Sequence, residues 1–401
     1  MDRRTFLRNG LALGCSTAAS PLLTPMALAS APWEERLIVI ILRGGMDGVD
    51  VFRPMGDPAF AALRPDLAEG GLDAGPFYQL HPALAPIKPL WDAGEFGAVH
   101  AVSTPYRDKR SHFDGQDLLE AGSDPNVDGS TRDGWLNRML QAVPGVEAST
   151  TFAIGLEQML LTTGSAPVSR WSPDARLAIS PQAQRLLELV QHRDPLFRQA
   201  SAEAIAIASK MDAGAEIAEA GDEMMMASPM MAEIQRGRPH VKIAEFAADR
   251  LREDARVAAF SLNGWDTHAA QDRTLPRALT QLTDTILTLK TRLGPAWSKT
   301  CLLAMTEFGR TARQNGSGGT DHGTGGALIY AGGAVRGGQV LGDWPGLTAE
   351  ALYQERDLMP TRDIRGVAAW AMHDLLGIDR PTLESAIFPG LDMGEDAKLI
   401  A

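Results

Sequence analysis

The stretch RLIVIILRGGMDGVD, residues 36–50, indicates the fold class of this chain. It opens with an uninterrupted aliphatic run, Leu37–Leu42, which two glycines bring to an end. A continuous apolar run of this length is typical of a strand buried on both faces, as in a parallel sheet covered by helices. The turn from Gly44 to Asp47 then lies at the carboxyl end of the strand, where such sheets bind ligands.

Four further segments share this apolar character and are predicted strands. They are Phe96–Ser103, Ala255–Leu262, Thr300–Thr306 and Gly326–Gly333. Helical patterns occur at Pro82–Asp92, from Leu118 onward, at Pro276–Leu293 and at Arg362–Leu376. Pro276 is expected in the first turn of its helix, where no N–H partner is needed. Strands alternating with helices predict an α/β fold with a mainly parallel central sheet flanked by helices.

The middle of the chain follows a different pattern. Residues of about 145–250 contain long helix-forming stretches such as PQAQRLLELVQ and VKIAEFAADRLRE. They predict a helical insertion packed on the α/β core. The predicted organisation is therefore a leader at residues 1–31 and one α/β domain at 32–401 that carries this insertion.

The first 31 residues have the form of an export signal. The pair Arg3-Arg4, followed by TFL, matches the twin-arginine pattern that exports folded proteins. Cleavage after Ala29 or Ala31 fits the small residues that end the segment. Its apolar part is too short and too interrupted for a membrane-spanning helix. We expect an exported, periplasmic protein that uses the twin-arginine machinery, with a frayed N-terminal helix as the alternative.

Composition excludes several functional classes. The formal net charge of -12 argues against a nucleic-acid binder and against adsorption to anionic membranes. The only cysteines, Cys15 and Cys301, provide no disulfide framework. No phosphate-binding P-loop, dinucleotide-binding glycine motif or G-x-S-x-G nucleophile motif occurs.

Ionisable side chains follow the predicted strands. Asp47 follows the first, Arg110, Ser111 and His112 lie beyond the second, Asp266 and His268 beyond the third, and Glu307, Asp321 and His322 beyond the fourth. The carboxyl ends of parallel strands share one sheet edge, so we expect these residues to converge. Imidazoles combined with carboxylates suit one or two divalent ions, Zn²⁺ or Mn²⁺. The predicted metal ligands are Asp47, Asp266, His268, Glu307, Asp321 and His322.

Each of these residues taken alone has a structural alternative. Asp47 also suits an ordinary turn, and Asp266 suits a helix cap beside a packed His268. Ser111 is the candidate nucleophile, and it equally suits the N-cap of a helix, with Asp114 three residues on. The two roles are compatible, because a helix N-terminus favours an anion. Its neighbours Lys109, Arg110 and His112 suit binding of a phosphate or sulfate group.

Six motifs carry a resemblance to a known family. They are LRGGMDGVDVFRP, RSHFDGQD, NGWDTH, MTEFGRT, NGSGGTDHG and GGQVLGDWPGL, in this order. The chain resembles the exported domain-of-unknown-function 1501 family, which is placed with the alkaline phosphatase and sulfatase superfamily. Met46 stands where the family usually has Asn. Asp266 and His268 are two residues apart, where the superfamily's corresponding ligands stand four apart.

The resemblance implies an alkaline phosphatase-like fold, a metal at Asp47, Asp266 and His268, and a nucleophile at Ser111. Glu307 or the Asp321-His322 pair would complete the site. Our first hypothesis is an exported metal-dependent hydrolase of phosphate or sulfate esters, acting on a small-molecule or saccharide substrate. A binding or assembly protein that has lost turnover is the alternative, and a transferase on the same site is the third possibility.

Overall fold

The computed structural model describes residues 33–67, 70–107, 110–123, 133–143, 150–154, 159–171 and 238–401. The predicted export signal and most of the predicted helical insertion lie outside these ranges. Within them, the α-helices are α1 (Gly48–Val51), α2 (Phe60–Leu63), α3 (Lys88–Asp92), α4 (His112–Ala121), α5 (Trp135–Ala142), α6 (Pro239–Arg252), α7 (Gln271–Leu293), α8 (Ile364–Leu376) and α9 (Arg380–Thr382). Short 3₁₀ helices lie at Pro82–Ile87, Leu160–Thr162, Gly294–Lys299 and Ala349–Ala351.

The strands are β1 (Arg36–Arg43), β2 (Phe52–Arg53), β3 (Leu72–Asp73), β4 (Gln79–Leu80), β5 (Phe96–Ser103), β6 (Thr151–Ile154), β7 (Ser169–Trp171), β8 (Val257–Asn263), β9 (Thr300–Met305), β10 (Gly326–Ala331), β11 (Val340–Leu341) and β12 (Arg362–Asp363). The central sheet has the order β11-β5-β10-β9-β1-β8-β6-β7, with β12 also pairing with β5. β10 is antiparallel to β9 and β5, and the other pairings in this sheet are parallel. The predicted mainly parallel α/β sheet is confirmed.

β1 lies inside the sheet and is buried on both faces. Val39 pairs with Ala259 of β8 on one side and with Leu303 of β9 on the other. Because side chains alternate along a strand, Val39 and its odd-numbered neighbours pack with residues of α5 and α8. Ile40 and its even-numbered neighbours pack with residues of α6 and α7. Burying one such aliphatic side chain stabilises the fold by about 1.5–3 kcal/mol, so this strand holds both helical layers to the sheet.

Three helix starts differ from the sequence prediction. The helix predicted from Leu118 onward is α4, which begins at His112 because Ser111 caps it. α7 begins at Gln271 rather than Pro276, because the Gln271 N–H donates to the Gly318 carbonyl (2.9 Å) and its buried amide donates to Asp47 (2.7 Å). Pro276 therefore lies inside the helix. Arg362 pairs with β5 instead of opening a helix, and Asp363 caps α8 by accepting from the Arg365 N–H.

The described part of the segment 145–250 is only partly helical. Residues 150–171 contribute β6 and β7, which extend the central sheet beyond β8, and a 3₁₀ turn. α6 is the helical part, and residues 172–237 lie outside the described chain. The helical insertion therefore stays a prediction for those residues.

None of the helices in the described ranges has the length and apolar character needed to cross a membrane.

His100 of β5 is a buried histidine whose surroundings select the neutral ring. Its Nε2 lies 3.1 Å from the Gly48 carbonyl, which can only accept, so Nε2 carries the proton. Its Nδ1 accepts from the Ala101 N–H at 2.9 Å. Protonating Nδ1 would break that hydrogen bond, and burial lowers the pKa of His100 to about 4.

We therefore expect the folded protein to lose stability below pH 6.5. The unfolded chain binds a proton at His100 near pH 6.5, whereas the folded chain binds it only near pH 4. The contribution of His100 to the free energy of unfolding is fully present above pH 6.5, and it decreases by roughly 2–4 kcal/mol as the pH falls toward 4. Denaturant unfolding of wild type and His100→Gln at several pH values measures it. Equal pH slopes in the two proteins would contradict the assignment.

Candidate metal centre

The predicted site residues lie at the sheet edge where the parallel strands end. Asp266 and His268 follow β8, and Glu307 follows β9. β10 runs antiparallel to β9, so it begins at the edge where β9 ends. The connecting loop therefore returns to this edge and places Asp321 and His322 directly before β10.

Two glycines let these segments approach closely. Gly44 has φ +126°, and a Cβ there would lie 2.4 Å from the backbone N of Asp266. Its N–H donates to Glu307 Oε1 at 2.9 Å. A Cβ on Gly319 would lie 2.4 Å from the carbonyl carbon of His268. Side chains at either position would push the segments apart.

Three imidazoles and one carboxylate converge at this edge. The Nε2 atoms of His268 and His322 are 2.9 Å apart, and they lie 3.1 Å and 3.3 Å from Asp266 Oδ1. His112, the first residue of α4, places its Nε2 3.4 Å from Asp266 Oδ2. One ligand atom each from His112, Asp266 and His322 lie within 4.8 Å of one another.

Each imidazole is oriented by a hydrogen bond between its Nδ1 and an oxygen that can only accept. The partners of Nδ1 are the Glu307 carboxylate for His112 (2.8 Å), the Arg110 carbonyl for His322 (2.9 Å) and the Asp321 carboxylate for His268 (3.3 Å). Each Nδ1 is therefore the N–H donor. A neutral imidazole has one N–H, so in their neutral forms the three histidines present Nε2 lone pairs to the Asp266 carboxylate.

This arrangement fits a divalent cation. The Nε2 lone pairs of His268 and His322 would repel each other at 2.9 Å without a cation between them. Within the part of the chain that the structure describes, the buried Nε2 of His112 has no hydrogen-bond partner. Ligands about 2.0–2.1 Å from a tetrahedral Zn²⁺ are separated by about 3.4 Å, close to the 2.9–3.4 Å separations of the adjacent pairs here, although His268 lies outside the group that His112, Asp266 and His322 form within 4.8 Å. Three nitrogens and one carboxylate form a donor set that zinc accepts.

Glu307 and Asp321 lie behind the imidazoles rather than in this donor set. Glu307 is fully buried, and its Oε1 accepts from Gly44 N–H, His112 and Gln116. Burial raises the pKa of Glu307, but these hydrogen bonds outweigh burial and hold the pKa below its ordinary value. Both carboxylates therefore orient histidines, as partners of metal-bound imidazoles commonly do. The sequence predicts them as direct ligands, and the geometry does not bring them to the convergence point.

Asp47 lies apart from the cluster in a buried ion pair. Its oxygens accept from Arg64 at 2.7 Å and 3.1 Å and from the Gln271 amide at 2.7 Å. Both charged side chains are 0% exposed. Burial raises the pKa of Asp47, but the Arg64 guanidinium more than compensates and the pKa is lowered. The predicted ligand Asp47 is thus occupied by a cation from the protein itself.

The charges around the cluster keep Asp266 ionised. Burial raises the pKa of Asp266, but the Arg310 guanidinium, 2.8 Å from Oδ1, more than offsets burial and lowers it. The hydrogen bond that His112 donates to the Glu307 carboxylate raises the pKa of His112. Burial lowers the pKa of His322, which favours its lone-pair form.

Ser111 and Arg110 directly precede His112. Ser111 caps α4 by accepting from the Asp114 N–H at 3.4 Å, and its own N–H donates to the Tyr106 hydroxyl at 2.7 Å. Arg110 has φ +53°, a strained value for a residue other than glycine. Its Nη2 lies 3.4 Å from Asp357 Oδ2, and its buried Nε has no hydrogen-bond partner among the described residues. The predicted anion-binding neighbour Lys109 lies outside the described residues.

A family model decides the relationship of the chain to known proteins. The model described as a protein of unknown function, DUF1501, matches residues 101–367. The chain belongs to the DUF1501 family. The match contains the motifs that carry the cluster, whereas the motif with Asp47 precedes it. No curated protein sequence matches this DUF1501 chain significantly.

Solved structures of low identity resemble this DUF1501 chain. The C-terminal periplasmic domain of EptC from Escherichia coli is 10% identical, with 92% of each chain covered and a TM-score of 0.39. A Vibrio parahaemolyticus protein in the alkaline phosphatase superfamily is 12% identical, covering 82% of this chain and 69% of that one, with a TM-score of 0.32. BT1596, a 2-O GAG sulfatase, is 10% identical, covering 92% and 76%, with a TM-score of 0.36. Because these TM-scores are below 0.5, the similarity carries no argument about function, and the proposed function is argued from the geometry of the site.

Sequence reasoning missed the buried partners that organise this DUF1501 site. Arg310 anchors Asp266, Gln116 contacts Glu307, and Arg64 and Gln271 hold Asp47. Arg310 stands inside the MTEFGRT motif, three residues after Glu307, which was a usable signal. Arg64 had no comparable signal, because nothing in its neighbourhood marks it as facing a residue 17 positions earlier.

Proposed function

We propose that this DUF1501 protein is an exported metal-dependent hydrolase of phosphate or sulfate esters. The observation that carries the proposal is the convergence of three Nε2 lone pairs on the Asp266 carboxylate. Such a set has little use without a cation, because it places electron-rich atoms against each other. His112, Asp266, His268 and His322 would hold the ion.

A bound divalent ion supplies Lewis-acid chemistry, which polarises an ester oxygen and favours an ionised hydroxyl beside it. Ser111 is the nucleophile in this proposal. Its Oγ attacks phosphorus or sulfur, the bond to the leaving alcohol breaks, and water then releases phosphate or sulfate and restores the hydroxyl. The Nδ1 partners of the histidines keep the donor set in place during both steps.

The ester anion would be recognised by groups around the start of α4. The first-turn N–H groups of a helix favour negative charge. The Arg110 guanidinium stands beside them with an unpartnered Nε and a side chain that is 31% exposed. Its strained backbone fits a residue held in place for function. A small-molecule or saccharide ester with an exposed phosphate or sulfate group is the substrate class that this chemistry suits.

Export belongs to the same proposal. The twin-arginine pattern at residues 3–4 would carry the folded chain across the membrane with its metal already bound. Export of a fusion from wild type, and its retention in an Arg3→Lys, Arg4→Lys variant, tests this part separately.

The activity is tested with the full chain and a matched pair of variants. We expect stoichiometric zinc or manganese and turnover of an aryl phosphate or an aryl sulfate. Ser111→Gly should keep the metal and lower kcat on the order of 10³-fold or more, while glycine at the cap costs α4 only a few tenths of a kcal/mol, roughly. Ser298→Gly, at an exposed serine, should leave kcat unchanged.

Four outcomes would contradict the proposal in different ways. A folded protein without metal refutes the metal centre. Undiminished turnover in Ser111→Gly refutes the nucleophile. Bound metal without turnover across a panel of esters supports the alternative, an exported binding protein on the same scaffold, and turnover only with an added alcohol acceptor supports a transferase.

A further inference from the structure

Both oxygens of the Asp47 carboxylate are occupied by hydrogen-bond donors of the protein. Oδ2 accepts from Arg64 (2.7 Å), the Gln271 amide (2.7 Å) and the Thr320 hydroxyl (3.3 Å). Oδ1 accepts from Arg64 (3.1 Å) and from the Asp50 N–H (3.3 Å). A metal ion at Asp47 would have to displace several of these donors.

Arg64 is fixed as firmly as the carboxylate that it binds. Its Nε donates to the Ala312 carbonyl at 2.7 Å, and its Nη2 also donates to the Thr311 carbonyl at 2.8 Å. The guanidinium is 0% exposed and carries a positive charge. Displacing it would leave an unpaired charge in the protein interior, which is strongly unfavourable.

Charge balance separates the Asp47 region from the metal centre. Asp47 is paired with Arg64, and its buried neighbour Asp50 is paired with Arg53 at 2.8 Å. These two pairs leave no negative charge to attract an ion.

The metal centre has the opposite balance. Among the described residues, its carboxylates are Asp266, Glu307 and Asp321, and Arg310 is the guanidinium in direct contact with Asp266. With neutral imidazoles, the net charge is two negative charges, which one divalent ion cancels.

We propose that the centre holds a single divalent ion, and that the Arg64 guanidinium, not a metal ion, is the cation that Asp47 binds. The proposal rests on the metal-dependent function above. It makes Asp47 a structural residue that joins the end of β1 to the loop carrying Asp321 and His322, rather than a ligand.

The number of ions per chain tests this directly. The full chain is saturated with zinc, freed of excess zinc by gel filtration and analysed for metal and protein. One zinc per folded chain is expected. Two zinc ions would overturn the single-ion proposal while leaving the metal-dependent function intact, and no zinc would overturn both.

A pair of variants tests the role of Asp47. Asp47→Asn should still bind one zinc, with the affinity in a chelator competition within about threefold of wild type, because the ligands are elsewhere. Asp266→Asn should lose the zinc. A loss of zinc from folded Asp47→Asn equal to that of Asp266→Asn would overturn the proposal. If Asp47→Asn does not fold, the wild-type count decides.

Discussion

Replacing His322 by alanine is expected to remove the bound metal and the hydrolytic activity together. The Nε2 of His322 lies 2.9 Å from that of His268 and 3.3 Å from Asp266 Oδ1, so it faces the centre of the donor set. Removing this nitrogen leaves two imidazoles and one carboxylate, a poorer site for Zn²⁺. We expect zinc affinity to fall by more than about 100-fold, beyond the 10–100-fold typical of losing an outer partner.

The comparison with Asp321→Asn sharpens this prediction. Asp321 contacts Nδ1 of His268 at 3.3 Å and does not reach the convergence point, so its loss should weaken zinc binding by about 10–100-fold only. His373→Ala is the matched control, because His373 contacts Trp370 and the Ile378 carbonyl instead. Zinc affinity is measured by competition with a chelator of known strength.

Thermal stability gives a second readout that does not depend on activity. Zinc at 100 times its dissociation constant stabilises the folded state by about 2.7 kcal/mol. Wild type and His373→Ala should gain this stabilisation, and His322→Ala should not. If folded His322→Ala binds zinc as tightly as wild type, then His322 is not a ligand and the proposed centre is wrong.

The sheet could be predicted from the sequence because its signal is local. The run Leu37–Leu42 has no polar residue, and a strand without a polar face must be covered on both sides. The predicted strand Phe96–Ser103 has the bounds that the structure gives it. The common edge of the site residues followed from the same logic, since the ends of parallel strands meet there.

The roles within the site could not be predicted in this way. Glu307 directly follows a buried strand and is fully buried, which fits a ligand as well as a partner of His112. Only the distances separate these roles, and distances depend on how the 306–325 loop folds back onto α4. The short spacing of Asp266 and His268 put both in doubt as ligands, yet the structure brings them to within 3.1 Å of each other.

The partners of Asp47 could not be predicted from the sequence either. An aspartate after the first strand, in a glycine-rich turn, has the sequence context of a metal ligand. Its actual partner, Arg64, comes from the short helix region 17 residues later, and its second partner, Gln271, comes from the start of α7. Neither contact has a periodic or local pattern, because each depends on tertiary packing.

The largest stability effect is expected from replacing Arg64 by methionine. The substitution leaves the carboxylate of Asp47 buried without its cation, and it removes the donors to the Thr311 and Ala312 carbonyls. Breaking a buried ion pair from one side costs about 3–5 kcal/mol. The free energy of unfolding, from denaturant titration, should fall by this amount, whereas exposed Arg273→Met should change it by less than about 0.5 kcal/mol.

The double variant separates the ion pair from the other contacts of Arg64. Asp47→Asn together with Arg64→Met removes both charges. The decrease in the free energy of unfolding of the double variant should therefore be smaller than the sum of the decreases of the two single variants, by about 1–3 kcal/mol. Arg64→Lys keeps the charge but not the bidentate geometry, so its free energy of unfolding should lie between those of wild type and Arg64→Met. Strictly additive losses would mean that the pair is not coupled, and Asp47 would then be free to serve as a ligand. The unfolding measurement thus bears on the metal count as well, because the coupling is the physical reason why a second ion is excluded.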